Sequence, residues 1–325
     1  MGVRVPYDKL KQDVKQIFLN LGLTEEKAEI CTAVHIQSSA DGVESHGLNR
    51  IPRFVEYVQK GWVNIKGEPQ LAGAKGAVEN YDGQLGIGIT NALFCADRAV
   101  ELAKKHGIGC VALKNTTHWM RGATYVWKMA EAGFMGMSWI NAESCMPLWG
   151  SDKRSVGNNP FCMAIPREDG PLILDMAMSL YAYGKLGVYR LAGKQLPYPG
   201  GFDKDGNLTC DPGGHRGNQC GGVPMGYWKG SGLSIVLDLI ATVLTNGNSV
   251  QKIGTFGDEI GLTQIMIAVD PTKFNTVEET DAIVEEILAD VKSSEPIKEG
   301  GEVYYPGELE LEKYQREQRT GNPGN

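Results

Sequence analysis

A chain of 325 residues is longer than one compact core usually needs, so one large α/β body with an added lobe is expected. Hydrophobic residues make up 42% and charged ones 22%, which excludes extended disorder away from the ends. The formal charge is −7 and no long Lys/Arg cluster occurs, so neither nucleic acid nor a membrane surface is an expected partner, which leaves small molecules.

The N-terminus MGVRVPYDKL lacks an apolar signal core, and Pro6 stands where a myristoylation motif needs Ser or Thr. Seven scattered cysteines without a CxxC pair fit reduced thiols and a cytoplasmic location. Cys210, His215 and Cys220 lie close in sequence but offer no fourth ligand, so no metal is expected.

Residues 7–21 and 25–39 read as two helices, the second opened by Thr24 as N-cap with Glu25 and Glu26 in its first turn. A third helix follows within ESHGLNRIPRFVEYVQKG, 44–61. Ile51, Phe54, Val55 and Val58 form its apolar stripe, with Glu56, Gln59 and Lys60 on the opposite face. Pro52 is tolerated only in a first turn, so the helix starts near 48–51 and places Ser45 and His46 at its entrance. Free N–H groups there favour an anion, Arg50 adds a planar two-pronged grip, and the His46 imidazole exchanges a proton near neutrality. The plain alternative is that Ser45 and His46 merely cap the helix.

After residue 61 the chain turns Gly-rich and heads toward sheet. A strand at 77–82, a helix at 90–105 and a strand at 109–113 follow. The connecting DGQLGIGITNA invites a dinucleotide fingerprint, but Asn91 stands where the third glycine belongs, and Lys114 and Asn115 stand where a ribose-binding acid belongs. The standard Rossmann reading fails twice, and glycines serving packing or dimer contacts explain the loop better. NTTHWMRG, 115–122, sets His118 and Arg121 at the carboxyl end of the second strand, where open α/β sheets collect ligands.

A helix at 123–132 closed by Gly133, a strand at 135–141, and strands at 161–166 and 172–176 about an Asp169–Gly170 turn complete a mixed sheet. The segment 197–224 is irregular and reads as a mobile loop over the site or a surface excursion. The longest apolar run, LSIVLDLIATVL at 233–244, reads as a helix too short for a bilayer and carrying Asp238. Before it, MGYWKGSG lacks the Gly-Lys-Ser order of a P-loop, although Lys229 at a helix start suits a pyrophosphate; Ser231 alternatively serves as a plain N-cap. A strand at 264–269 and a helix at 277–292 follow, and the ends read as frayed. The three parts expected are an N-terminal helical lobe at 1–70, a central α/β body at 71–275, and a C-terminal helix and tail at 276–325 that returns to the cofactor site.

Together, ESHGLNRIPRF, NTTHWMRG, GNNPF, LDMAMS, LAGKQLP, PMGYWKGSG and YYPGE resemble the malate/L-lactate dehydrogenase type 2 family of NAD(P)-dependent oxidoreductases, along nearly the whole chain. The resemblance implies a non-Rossmann NAD-binding fold and a homodimer with the nicotinamide site near the subunit boundary. It implies NAD as cofactor, NADH before NADPH, and hydride transfer to or from a small 2-oxo or 2-hydroxy acid. By resemblance His46 is the proton donor, Ser45 and Arg50 hold substrate, and His118, the rival acid/base, orients it. Cofactor contacts carry over to Pro171, Leu172, Ile173, Leu174, Asp175, Met176 and Ala177, to Trp228 and Lys229, and to Gly307, Glu308 and Leu309, with Asn141 as a further candidate. Trp119 beside His118 offers an indole face to a longer, polyhydroxylated substrate. Malate or L-lactate is the alternative substrate, and a non-catalytic ligand-binding protein the distant one.

Overall fold

The computed structural model describes residues 5–151, 153–213 and 222–320. Two helices open the chain, α1 (Tyr7–Asn20) and α2 (Glu25–Ala40). Thr24 caps α2 by accepting the Lys27 N–H at 3.3 Å, as its sequence position predicts. Two single 3-10 turns, Glu44–His46 and Leu48–Arg50, precede α3 (Ile51–Gln59). His46 therefore sits one turn upstream of the helix rather than at its mouth. Tyr57 joins Ile51 and Phe54 on the buried face of α3, while Val55 and Val58 are only half-buried. These helices share one apolar cluster, with Phe18 and Ile36 inside it, and it extends to Ile87, Ile89 and Met120 of the main body.

The body begins with β1 (Gln70–Lys75), β2 (Val78–Gly86), α4 (Gly88–His106), β3 (Ile108–Thr117), α5 (Ala123–Glu131) and β4 (Met135–Ile140). A small pair, β5 (Met146–Pro147) with β6 (Arg154–Val156), leads to β7 (Phe161–Ile165) and β8 (Leu172–Met176). Then come α6 (Tyr183–Leu191), the hairpin strands β9 (Gly201–Phe202) and β10 (Leu208–Thr209), α7 (Trp228–Thr245), α8 (Val250–Gly254), β11 (Ile260–Val269), α9 (Val277–Lys292) and α10 (Glu308–Thr320). Seven strands form one mixed sheet in the order β1-β2-β3-β11-β4-β7-β8. Only β2 and β3 pair in parallel, because β11 inserts antiparallel to both β3 and β4. The sheet is sandwiched: Val111, Leu113 and Met266 face α4 and α5, while Ala112 and Ile265 face α7. That alternation is the period of two that a strand imposes.

The glycines between β2 and α4 pack rather than bind. A Cβ at Gly88 would lie 2.2 Å from the Thr117 carbonyl oxygen and 2.3 Å from that of His118, so only glycine lets α4 start against the end of β3.

Four sequence expectations need correction. First, α7 starts at Trp228, five residues before the apolar run, so Ser231 lies inside its first turn and donates to the Trp228 carbonyl at 3.2 Å instead of capping the helix. Secondly, at 18 residues α7 is long and apolar enough to cross a membrane by length and composition. Its inner residues Leu237 and Ala241 nevertheless pack on the sheet, and Asp238 accepts hydrogen bonds from Asn141 and from the Val250 N–H, each at 3.0 Å. Thirdly, the C-terminal stretch is not frayed throughout but folds into α10. Lastly, the 197–224 segment contains the β9–β10 hairpin. His215 and Cys220 lie outside the described residues, and no metal-ligating cluster occurs among the described ones.

Candidate active site

The carboxyl end of β3 carries the chain from Thr117 into His118 and then through a sharp turn in which Met120 adopts φ +66°. That turn buries Trp119, 1% exposed with its ring 5.3 Å from Tyr125, in the core. The ring thus packs into the core although Trp119 is among the residues that line the cavity, so little of the indole is free to face a substrate in this structure. His118 is left pointing the other way, into a cavity of about 460 Å³ that it shares with Ser45, His46, Arg50 and Asp175.

The two imidazoles face each other, with ring centroids 5.7 Å apart and planes 19° from parallel. The Met120 N–H donates to His118 Nδ1 at 2.9 Å, which puts the proton of the neutral ring on Nε2, as a fixed donor. His46 Nδ1 instead meets the Ser45 hydroxyl at 2.9 Å, a partner that can donate or accept. Burial above all, then His118 and Arg50, lowers the pKa of His46 to about 3, with Asp175 opposing. His118 is held well below its ordinary value, by burial first and then by Arg50 and Arg53. Both rings are thus neutral at pH 7 in the free protein.

Arg50 is tethered through Nε to the Ser45 carbonyl at 3.0 Å, and its two terminal nitrogens make no hydrogen bond among the described residues. A planar fork is left open toward the cavity. The other cavity guanidinium, Arg121, is committed to an ion pair with buried Asp41. Asp175 accepts the Ala123 N–H at 3.0 Å and the Cys162 thiol at 3.3 Å, so its carboxylate is anchored beside α5.

The far wall is β8, the edge strand of the sheet, where Ile173, Leu174, Asp175 and, just beyond it, Ala177 line the cavity. Gly307, at φ +81°, closes over this strand, and a Cβ there would come within 2.6 Å of the Ile173 carbonyl oxygen. Pro306 of the same turn and Glu310 of α10 also reach the cavity, whereas Glu308 is drawn aside by Lys292 at 2.7 Å and the Tyr305 N–H at 3.0 Å. Pro171, Leu172, Met176 and Leu309 are not on its wall. Neither are Trp228 and Lys229, which are exposed on the first turn of α7. Asn141 touches the cavity, but its side chain is spent inside the protein: Nδ2 donates to Asp238 and to the Asn248 carbonyl, and Oδ1 accepts the Thr263 N–H. Sequence reading missed Glu259 and Glu310, whose place on the wall depends on folding and on no local motif.

The relatives of this chain are dehydrogenases and reductases. The sequence profile described as malate/L-lactate dehydrogenase matches residues 5–324, and the chain belongs to that family. It is 43% identical over 306 residues, 94% of this chain and 92% of the relative, to 2,3-diketo-L-gulonate reductase of Klebsiella pneumoniae (strain 342). Among solved structures it is similar to sulfolactate dehydrogenase from Methanocaldococcus jannaschii, with TM-score 0.86 and 26% identity covering 97% of this chain and 91% of that one. Malate dehydrogenase from Pyrococcus horikoshii OT3 is similar too, with TM-score 0.87 and 25% identity covering 99% and 91%. The chain is an oxidoreductase acting on CH–OH groups.

Proposed function

We propose that the protein transfers hydride between NAD(H) and a small 2-oxo or 2-hydroxy acid, and that its substrate is most like 2,3-diketo-L-gulonate. The observation that carries the reading is the unequal wiring of the two histidines above one open guanidinium. Arg50 takes the substrate carboxylate in its free fork, which orients the carbonyl. His118, fixed as an Nε2–H donor, holds the substrate without exchanging a proton, because losing Nε2–H would leave an anionic ring. His46 keeps a mobile hydroxyl on Nδ1, so either protonation state is accommodated and it serves as the acid/base. Burial is the main reason His46 is neutral in the free protein; substrate charge next to Arg50 removes one of the smaller repulsions acting against protonation, and Asp175 acts in the same direction, toward the imidazolium that reduction needs. In the oxidation direction neutral His46 accepts the carbinol proton.

The edge strand β8, the glycine turn at 306–307 and the start of α10 form a cleft with room for the flat end of a dinucleotide, which supports the cofactor assignment. When bound, the dihydronicotinamide supplies the hydride. Acids rather than unpaired cations stand at this end, Glu310 and Asp175, which supports NADH before NADPH, since a ribose phosphate gains nothing from them. A homodimer is supported by α7, whose outer face shows Val236, Leu239 and Val243 at 49%, 56% and 76% exposure with Trp228 at 66%. A second copy seated there covers the patch and brings Trp228 and Lys229 to a subunit boundary.

The test is NADH oxidation with 2,3-diketo-L-gulonate, oxaloacetate and pyruvate. Turnover fastest with the diketo acid is expected. Turnover fastest with oxaloacetate moves the assignment to malate, and no turnover with any 2-oxo acid despite NADH binding refutes it.

A further inference from the structure

The cavity carries a carboxylate that the hydride-transfer chemistry does not use. Glu259 stands immediately before β11 and lines the same cavity as His118 and Arg50. Its side chain is only 13% exposed, yet its carboxylate accepts no hydrogen bond among the described residues. The nearest cation, Arg53, lies 3.9 Å away and is already committed to Asp258 at 2.6 Å and to the Tyr57 hydroxyl at 2.7 Å. Burial first, and Asp258 less, push the Glu259 carboxyl upward, against Arg50 and Arg53, which pull it down. The carboxylate is mostly buried but keeps some exposure and is not among the sealed, partnerless groups, so it gains from any hydrogen-bond donor brought to it. Facing a ligand-sized cavity, it has an obvious source of such donors in the ligand.

The charges around the cavity sharpen this. Arg121 is neutralised by Asp41, so Arg50 is the cavity guanidinium left open to a ligand, and it takes one carboxylate. Glu259, Asp175 and Glu310 line the remaining wall. A second carboxylate on a substrate would be desolvated among acids with no cation left for it, whereas hydroxyl groups would find acceptors.

We propose that Glu259 is a specificity-determining residue that accepts a hydrogen bond from a hydroxyl group beyond the reacting carbon and rejects substrates bearing a second carboxylate. The preferred substrates are hydroxylated 2-oxo monocarboxylic acids, and malate-type dicarboxylates are disfavoured. The inference rests on the proposed hydride-transfer reading for its substrates but not for its binding site.

The experiment compares wild-type protein with Glu259→Gln, which keeps shape and removes charge, and with Glu259→Asp, which keeps charge and withdraws it by one methylene. In kinetics, kcat/KM is measured for 2,3-diketo-L-gulonate, pyruvate and oxaloacetate. In parallel, calorimetry with the NADH-free protein gives Kd for gluconate, L-lactate and L-malate, a readout that needs no turnover. Glu259→Gln is expected to lower the ratio of hydroxylated to plain acid about tenfold and to raise the ratio of dicarboxylate to plain acid about tenfold. Glu259→Asp is expected to lower the first ratio and leave the second near wild type. Ratios within about twofold of wild type in Glu259→Gln, for kinetics and binding alike, overturn the proposal. If no acid is turned over but the calorimetric ratios shift, the hydride-transfer reading fails while the role of Glu259 stands.

Discussion

Replacing Gly88 with alanine tests how closely His118, the proposed substrate-holding histidine, depends on the packing beneath it. Gly88 starts α4, donates its N–H to the Thr117 hydroxyl at 3.0 Å, and accepts from Gln264 at 3.1 Å, so it is clamped on both sides. The added methyl would lie 2.2 Å and 2.3 Å from two backbone carbonyl oxygens, those of Thr117 and His118. Neither is the free end of a flexible side chain. Relieving both contacts moves the end of β3 by about 1 Å, since carbon atoms need roughly 3.5 Å of separation. Overpacking of this kind costs about 1–3 kcal/mol, and a displacement of about 1 Å at a reacting group costs on the order of 10² in rate. Urea unfolding and NADH-linked turnover, read on the same preparation, give the two numbers. Gly73→Ala is the control, because no atom lies within 4 Å of its would-be Cβ. A Gly88→Ala protein that loses under about 0.5 kcal/mol and keeps turnover within about threefold would refute the argument that this glycine holds His118 in place.

Arg50→Lys should raise KM for the 2-oxo acid about tenfold with a smaller change in kcat, because an ammonium cannot offer the two-pronged fork that Arg50 leaves open; an unchanged KM contradicts its role as the carboxylate anchor. His35 governs part of the acid stability: it is fully buried, its Nδ1 donates to the Cys31 carbonyl at 2.7 Å, its Nε2 has no partner among the described residues, and burial lowers its pKa from 6.5 to about 4. The unfolded chain takes up the proton first, so this contribution is intact above pH 6.5 and is lost as pH falls toward 4, with a total on the order of 3 kcal/mol. Denaturant titrations over that range should show a shallower decline for His35→Phe than for wild type; parallel curves would refute the assignment. In α9, Thr276 and Glu279 cap each other reciprocally, so Thr276→Ala should cost about 1 kcal/mol in the same assay, and a cost near zero would mean the cap does not contribute.

Much of this fold is legible where one local rule decides. Thr24 announces α2, Gly133 closes α5, and the Asp169–Gly170 turn joins β7 to β8, because caps and turns act within a few residues. The failed dinucleotide fingerprint around Gly83, Gly86 and Gly88 correctly excluded a Rossmann site, and the close contacts of Gly88 give the reason those glycines are there. What escaped depends on contacts between distant segments. α10 carries charge on most sides and shows no clear apolar stripe, yet it docks through Leu311 against Gly170. The parallel βαβ pattern did not reveal that β11 would slip between β3 and β4, since strand order is a long-range outcome. Trp119 reads as offering its indole face to a substrate, and no local pattern shows that the ring packs against Tyr125 in the core beside the cavity. Asn141 lines the cavity as expected of a ligand contact, but its further role as the pin that ties α7 to β11 through Asp238 and Thr263 was not legible. Glu259 precedes a strand that the apolar pattern places only from 264 onward, so no periodicity marked it.

The account turns on His46 as the proton-exchanging group, and one measurement reaches it most directly: steady-state turnover of His46→Ala in protein whose NADH affinity, by fluorescence titration, matches wild type. The account predicts that NADH still binds while turnover falls by about 10² to 10⁴. Turnover near wild type in that preparation would contradict it and hand the proton to another group.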